Sequence, residues 1–409
     1  MQNMYFYLII WIVVIFFIFD KFVAYLNTLY WSDKLPEEVK DIYDEEKYKK
    51  QQDYEKTKHK FSNISDIFSF LVTLLVLIFW GFWFLDVYLR TFISNDLILT
   101  LSFFAIIVLI QTIIWLPFSY YANFVIEERF WFNKMTKKLF FFDSIKSLFS
   151  IFLLGWVLLW IIVWIYTKVW TNFWWIAWII LSGFSIFIMM FYSTLIVPIF
   201  NKQTPLEDGE LKTAINEFVL KVWFKLDNIF VIDGSKRSSK ANAYFSWFWP
   251  KKRIILYDTL ISDLTVEELV AVLAHEIGHY KKKHTLQMLI FFIIQTWFIM
   301  FLFSLLIENR EIALALWSQV SSFHIWAIAF WILFTPFSFI LGIFENILSR
   351  KNEYEADNFA KVNYSKDALV SGLKKLSVNN LSNLLPHPLY EFIYYSHPTV
   401  LKRIKNLTK

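Results

Sequence analysis

Cysteine is absent from the whole chain, which excludes disulfides, thiolate metal ligands and cysteine nucleophiles. Any bound metal must therefore rest on His, Asp or Glu. Glycine is scarce, with 8 residues in 409, so low-complexity and disordered readings fail. Charge is thin as well: 18% of residues are charged, against about 25% in soluble domains. No basic tract with interleaved base-stacking aromatics occurs, which sets nucleic acid aside as a partner. What fills the chain instead is apolar. Hydrophobic residues make up 57% of it, among them 46 Phe, 20 Trp and 20 Tyr.

Crossing a bilayer takes about 20 apolar residues. Seven stretches meet that length, at 4–19, 66–88, 98–118, 148–166, 174–200, 286–307 and 323–347. The first lacks a positive n-region and a small-residue cleavage site, so it reads as a retained span rather than a signal peptide. Basic residues set the orientation. Segments 20–65, 119–146, 201–284 and 349–409 hold 9, 5, 13 and 10 of the 40 Lys and Arg, whereas the alternate loops hold only Arg90, Lys168 and Arg310. The expectation is an N-terminus outside and all large polar segments, with the C-terminus, on the cytoplasmic side.

The chain then divides into four parts: five spans with helical loops (1–200), a polar segment (201–284), spans six and seven (285–348) and a tail (349–409). Within the polar segment, 211–226 reads as a helix. The β-branched content of NIFVIDG (228–234) and KRIILYDTLI (252–261) predicts strands. The tail reads as mainly helical up to about 380.

The polar segment ends in ELVAVLAHEIGHYKKKH (268–284). Thr265 followed by Glu267 and Glu268 is a helix-start pattern. His275 and His279 are four apart and share one helix face, with Glu276 beside the first. Two imidazoles so placed bind Zn²⁺, and the glutamate works on water activated there. Gly278 costs helix stability, and a small residue there lets another backbone come close. A catalytic zinc normally takes three protein ligands. SRKNEYEADNFAKV (349–362) offers Glu353, with Glu345 and Glu355 as competitors, and Asp357 one turn on is placed to accept the N–H of a ligand histidine. Of the other histidines, His59 reads as solvated, His284 as interfacial, His324 as lying on the outer side and His387 as a loop residue.

The order of LPEEV, NFVIEERFWFNKMT, DGSKRSSKANAYF, KRIILYDTLI, LAHEIGHYKKKH, SRKNEYEADNFA and YYSHPTVLKRI along seven spans resembles the type I CAAX prenyl proteases. These are integral-membrane zinc metalloproteases that cleave prenylated C-terminal peptides. The resemblance implies a mainly α membrane protein, with seven transmembrane helices around a water-filled chamber and a cytoplasmic zincin-like α+β metalloprotease domain. It implies one Zn²⁺ on His275, His279 and Glu353, with Glu276 as general base and Asp357 behind a ligating histidine. It further implies that His397 stabilises the tetrahedral intermediate with Arg403 nearby, and that Asn242, Ala243 and Tyr244 hold substrate backbone. The expected partners are a peptide or protein substrate, prenylated at its C-terminus, and the lipid bilayer, with the chain a monomer.

Two other readings compete. A site-2-type intramembrane protease would carry HExxH inside a span. A non-catalytic chaperone or scaffold would close a structural zinc with a fourth protein ligand. Absent cysteine, abundant Lys, Ile, Phe and Asn, and no endoplasmic-reticulum retrieval tail favour a bacterial inner membrane and membrane-protein quality control. A eukaryotic source would place the chain in the endoplasmic reticulum.

Overall fold

The computed structural model describes residues 3–169, 172–226, 228–241, 243–246, 253–307 and 309–409. Seven of its helices are long and apolar enough to cross a bilayer. The first two are α1 (Met4–Thr28) and α2 (Glu45–Ile78). The short α3 (Gly81–Arg90) precedes α4 (Asp96–Glu127), α5 (Lys137–Val169) and α6 (Phe173–Phe200). Each of these last three contains a π-helical stretch, at Ala122–Glu127, Ile151–Trp156 and Tyr192–Ile196.

The second expected span, 66–88, is corrected. Its helix begins at Glu45, capped by Asp44 accepting from the Lys47 N–H, so the charged segment and the span are one helix. The helix stops at Ile78, where Trp80 takes a left-handed φ of 62°. Gly81 then packs so closely that a Cβ would lie 2.9 Å from Val76 Cγ1. Hydropathy runs straight through this turn and does not register it.

The polar segment builds a four-stranded sheet: β1 (Gln203–Pro205), β2 (Asn228–Ile232), β3 (Ala243–Ser246) and β4 (Arg253–Tyr257), in the order β1-β2-β4-β3. β2 and β4 run parallel, and the other two pairings are antiparallel. β3 is therefore an outer strand, held through Ala243 opposite Leu256 and Tyr244 opposite Ile255. The helix expected over 211–226 is α7 (Glu210–Lys221). The second predicted strand ends early, because Asp258 accepts from the Ser235 and Thr259 N–H groups and opens α8 (Asp258–Asp263).

Next comes α9 (Val266–Lys281), which starts at a full capping box between Thr265 and Glu268. Its apolar face buries Val270, Leu273, Ala274 and Ile277 in the core of this domain. Lys283, at a φ of 60°, separates α9 from the sixth span, α10 (His284–Leu306). After α11 (Arg310–Ala315), one unbroken helix of 41 residues, α12 (Phe323–Asn363), joins the seventh span to the segment carrying Glu353. At 1.5 Å per residue it is roughly 60 Å long, about twice the hydrocarbon thickness. The tail is helical up to Asn379, where α13 (Lys366–Asn379) ends, and beyond the expected region two short helices follow, α14 (Pro388–Tyr394) and α15 (Val400–Thr408). Glu268 ties α9 to α13, accepting from Ser371 at 2.6 Å and pairing with Lys375 at 2.7 Å.

At the far end of the bundle, Asp86 is fully buried between Arg90, at 3.0 Å, and His324 Nε2, at 2.8 Å. His324 Nδ1 lies 3.0 Å from the Thr100 hydroxyl. This network pins α3, α4 and α12 together. Removing the carboxylate leaves the buried His324 Nε2 without its partner, while Arg90 keeps Ser322 and Asp96, so Asp86→Ala should lose about 1–3 kcal/mol in detergent unfolding. An unchanged midpoint would contradict the latch. Closer to the HExxH motif, α9 and α12 touch at Gly278, where a Cβ would come within 3.1 Å of the Ala356 backbone. Gly278→Val should force these helices apart and destabilise by about 1–3 kcal/mol. Thermal unfolding measures this, and a neutral result would remove the close approach as a constraint.

Candidate metal centre

His275 and His279 project from adjacent turns of α9, and their Nε2 atoms lie 3.1 Å apart. Glu353 arrives from α12, with Oε2 3.5 Å from His275 Nε2 and Oε1 3.3 Å from His279 Nε2. Among the described residues these three form a group whose donor atoms all lie within 4.8 Å of one another. Two nitrogens on a tetrahedral zinc, each about 2.0–2.1 Å from it, would sit roughly 3.3 Å apart. The observed spacing fits. Glu353 Oε2 is buried without a hydrogen-bond donor, the Arg403 Nη1 at 3.1 Å making an ion pair only. A borderline cation such as Zn²⁺ suits this set of two imidazoles and a carboxylate.

The outward side of each imidazole is also engaged. His275 Nδ1 lies 2.9 Å from Asp357 Oδ1, one turn beyond Glu353. Arg403 grips the same carboxylate through Nε at 2.9 Å and Nη2 at 2.6 Å. Burial and the Arg403 charge pull the His275 pKa down. The Asp357 and Glu353 carboxylates outweigh them and hold it at about 9. His279 Nδ1 faces His284 Nδ1 at 3.0 Å, and His284 Nε2 lies 3.3 Å from Glu355 Oε2.

A cleft of about 270 Å³ opens beside these groups, lined by His275, Glu276, Glu353, His397 and Arg403. Glu276 is half-buried there, next to His275 in sequence and one turn from His279. The His397 side chain is 63% exposed, with Nε2 3.4 Å from Glu353 Oε1. Arg403 is only 10% exposed, and its guanidinium spans Glu353 and Asp357. Of the three residues predicted to hold substrate backbone, Ala243 and Tyr244 fall on outer strand β3, and Asn242 lies outside the described residues.

Two residues that sequence reasoning passed over also stand here. Asn380 clamps the residue just before that segment: its Oδ1 accepts from the Ala241 N–H at 3.2 Å, and its Nδ2 donates to the Ala241 carbonyl at 3.3 Å. No sequence pattern marks it, since the two positions are far apart in the chain. His284, expected at the interface where the sixth span begins, is buried against His279. On a continuous helix it would point about 140° away from His279, but the left-handed turn at Lys283 folds it back.

The HExxH helix is not among the seven candidate spans. That separates the centre from a motif carried inside a membrane helix. A model of the CAAX prenyl protease N-terminal region, with five membrane helices, matches residues 25–202, and one of peptidase family M48 matches residues 205–409. CAAX prenyl protease 1 of Saccharomyces cerevisiae is 36% identical, the alignment covering 96% of this chain and 92% of that protein. The CAAX prenyl protease 1 homolog of Dictyostelium discoideum is 35% identical over 96% of this chain and 95% of its own length. The human homolog is 30% identical, over 91% and 88% respectively. The crystal structure of S. mikatae Ste24p matches with a TM-score of 0.93 at 34% identity and covers both chains completely. These relatives are eukaryotic, which weighs against the bacterial source the composition favoured. With both family models tiling it nearly end to end, the chain belongs to peptidase family M48, among its CAAX prenyl protease-like members, and is a multi-pass membrane zinc metalloendopeptidase.

Proposed function

We infer that this chain hydrolyses peptide bonds near the C-terminus of prenylated substrates, using one zinc held by His275, His279 and Glu353. The observation that carries the reading is the convergence of these three donors beside a cleft that also takes in Glu276. When bound, zinc supplies Lewis-acid polarisation of the scissile carbonyl and a nucleophile at neutral pH.

The chain's own residues do the rest. A substrate strand adds to the outer edge of β3, taking backbone hydrogen bonds from the segment 242–244. The Glu276 carboxylate accepts a proton from the attacking water and delivers it to the leaving amine nitrogen. The exposed His397 donates from Nε2 to the carbonyl oxygen as its charge develops. Arg403 is better suited to positioning, since it donates to Asp357 and forms an ion pair with Glu353. Asp357 keeps the His275 proton on Nδ1 and its Nε2 lone pair free. The positive-inside distribution supports a cytoplasmic catalytic domain and C-terminus with the N-terminus opposite. The source of the relatives favours the endoplasmic reticulum membrane. A chamber among the seven spans and a monomeric state complete the proposal.

Glu276→Gln should keep zinc and lose turnover by about 10²–10⁴-fold; full proteolysis by a clean preparation would remove Glu276 from its role. Cleavage of farnesylated against unmodified peptides, with and without chelator, tests the substrate class. Preference for the farnesylated peptide is expected, and equal rates would point to general membrane-protein quality control.

The titration of His275 has a further consequence. Its raised pKa means the metal-free imidazole carries a proton at neutral pH, which zinc must displace. Zinc affinity should therefore rise with pH and level off above about 9. Calorimetry in buffers of different ionisation enthalpy measures the released proton, and binding without proton release at about pH 7 would contradict this.

A further inference from the structure

We propose that His284 and Glu355 form a relay that positions the second histidine of the HExxH motif and thereby retains the metal. The proposal rests on the zinc reading and adds two residues to it.

Proton placement decides the role of each ring. A metal-bound imidazole uses a lone pair on one ring nitrogen, and its proton sits on the other. The His279 Nε2 faces Glu353 and His275, so its proton belongs on Nδ1. That N–H points at His284 Nδ1, 3.0 Å away. His284 must accept there, because two N–H groups cannot meet head-on at that distance. Its own proton then sits on Nε2 and donates to the Glu355 carboxylate at 3.3 Å. One assignment of protons satisfies the whole chain from Glu355 to the metal side of His279. His275 has the equivalent support from Asp357 directly. For His279 a histidine stands between ligand and carboxylate.

Two further observations make an incidental contact a poor explanation. His284 is 2% exposed, although a polar residue at the start of a membrane span has solvent nearby. Its direction depends on Lys283, a non-glycine residue at a φ of 60°. Left-handed backbone is disfavoured for such a residue, and here it turns the chain so that His284 faces His279 and not away from it. α12 thus delivers Glu353 to one side of His279 and, two residues later, Glu355 to the partner on its other side.

The test uses the full-length protein in detergent, with zinc as the probe. His284→Leu keeps the volume but removes the acceptor, and should weaken zinc affinity by about 10–100-fold in chelator competition. His284→Asn keeps an acceptor near the Nδ1 position but cannot reach Glu355, and should recover most of that loss without fully restoring wild-type affinity. In the cobalt-substituted protein, the visible spectrum should change in the leucine variant and not in the asparagine one. A purely structural role would show instead as equal loss in both variants, with a lowered unfolding midpoint of the metal-free protein. That outcome, or wild-type zinc retention in His284→Leu, overturns the proposal. Should His284→Leu fail to fold, the more exposed Glu355 decides: Glu355→Ala must weaken zinc binding, and unchanged affinity again overturns it. Wild-type protein without zinc would instead defeat the metal reading itself.

Discussion

The site depends on one crossing. The histidines lie on α9 and the third donor on α12, and the two helices meet where Gly278 has no side chain and Ala356 brings its backbone against it. Interhelical distances of 8–10 Å are set by the side chains at the contact. With nothing larger at this point, Glu353 and Asp357 both reach His275, Glu353 at the inner nitrogen and Asp357 at the outer one. Gly278 sits inside the motif itself, between the metal-facing His275 and His279. The residue that weakens the helix locally is the one that lets the ligand set close.

The crossing also ties the chemistry to the membrane. α12 is a single helix from the start of the seventh span to the Glu353 segment. At its far end it shares a buried network with Asp86, Arg90 and Thr100. At its near end it supplies Glu353, Glu355 and Asp357. Anchoring at both ends keeps the carboxylates in register with α9, although Pro336 interrupts the hydrogen-bond ladder of α12 midway, and the capping box and the Glu268 contacts to α13 hold α9 in turn. Arg403 on the last helix closes the arrangement by bridging Glu353 and Asp357, so the final residues of the chain bear on the centre as directly as the motif does.

Much of this was legible in the sequence, for physical reasons. Apolar runs need no partner to be recognised, so the seven spans were found. The spacing of His275 and His279 encodes a shared helix face, and Thr265 with Glu268 encodes a helix start. What failed was long-range or depended on backbone geometry. The break at Trp80 lies inside an apolar run. The strand predicted through 261 ends at Tyr257 because Asp258 is captured by Ser235, a contact no local pattern reveals. Asn380 reaches Ala241 across most of the catalytic domain. His284 was read only as an interfacial residue after three lysines, because the left-handed turn at Lys283 that aims it at His279 leaves no pattern in the sequence. Glu353 could not be separated from Glu345 and Glu355 by spacing alone; the resemblance to known prenyl proteases chose it, and the fold brings it to both histidines.

The central claim is that a single zinc sits between the two Nε2 atoms of α9 and the Glu353 carboxylate of α12. The most direct measurement is an anomalous difference map from crystals of the zinc-loaded protein, recorded on either side of the zinc absorption edge. The account predicts one peak, bounded by His275, His279 and Glu353 and open towards Glu276 and His397. A peak enclosed by a fourth protein ligand, or one lying away from Glu353, would contradict it.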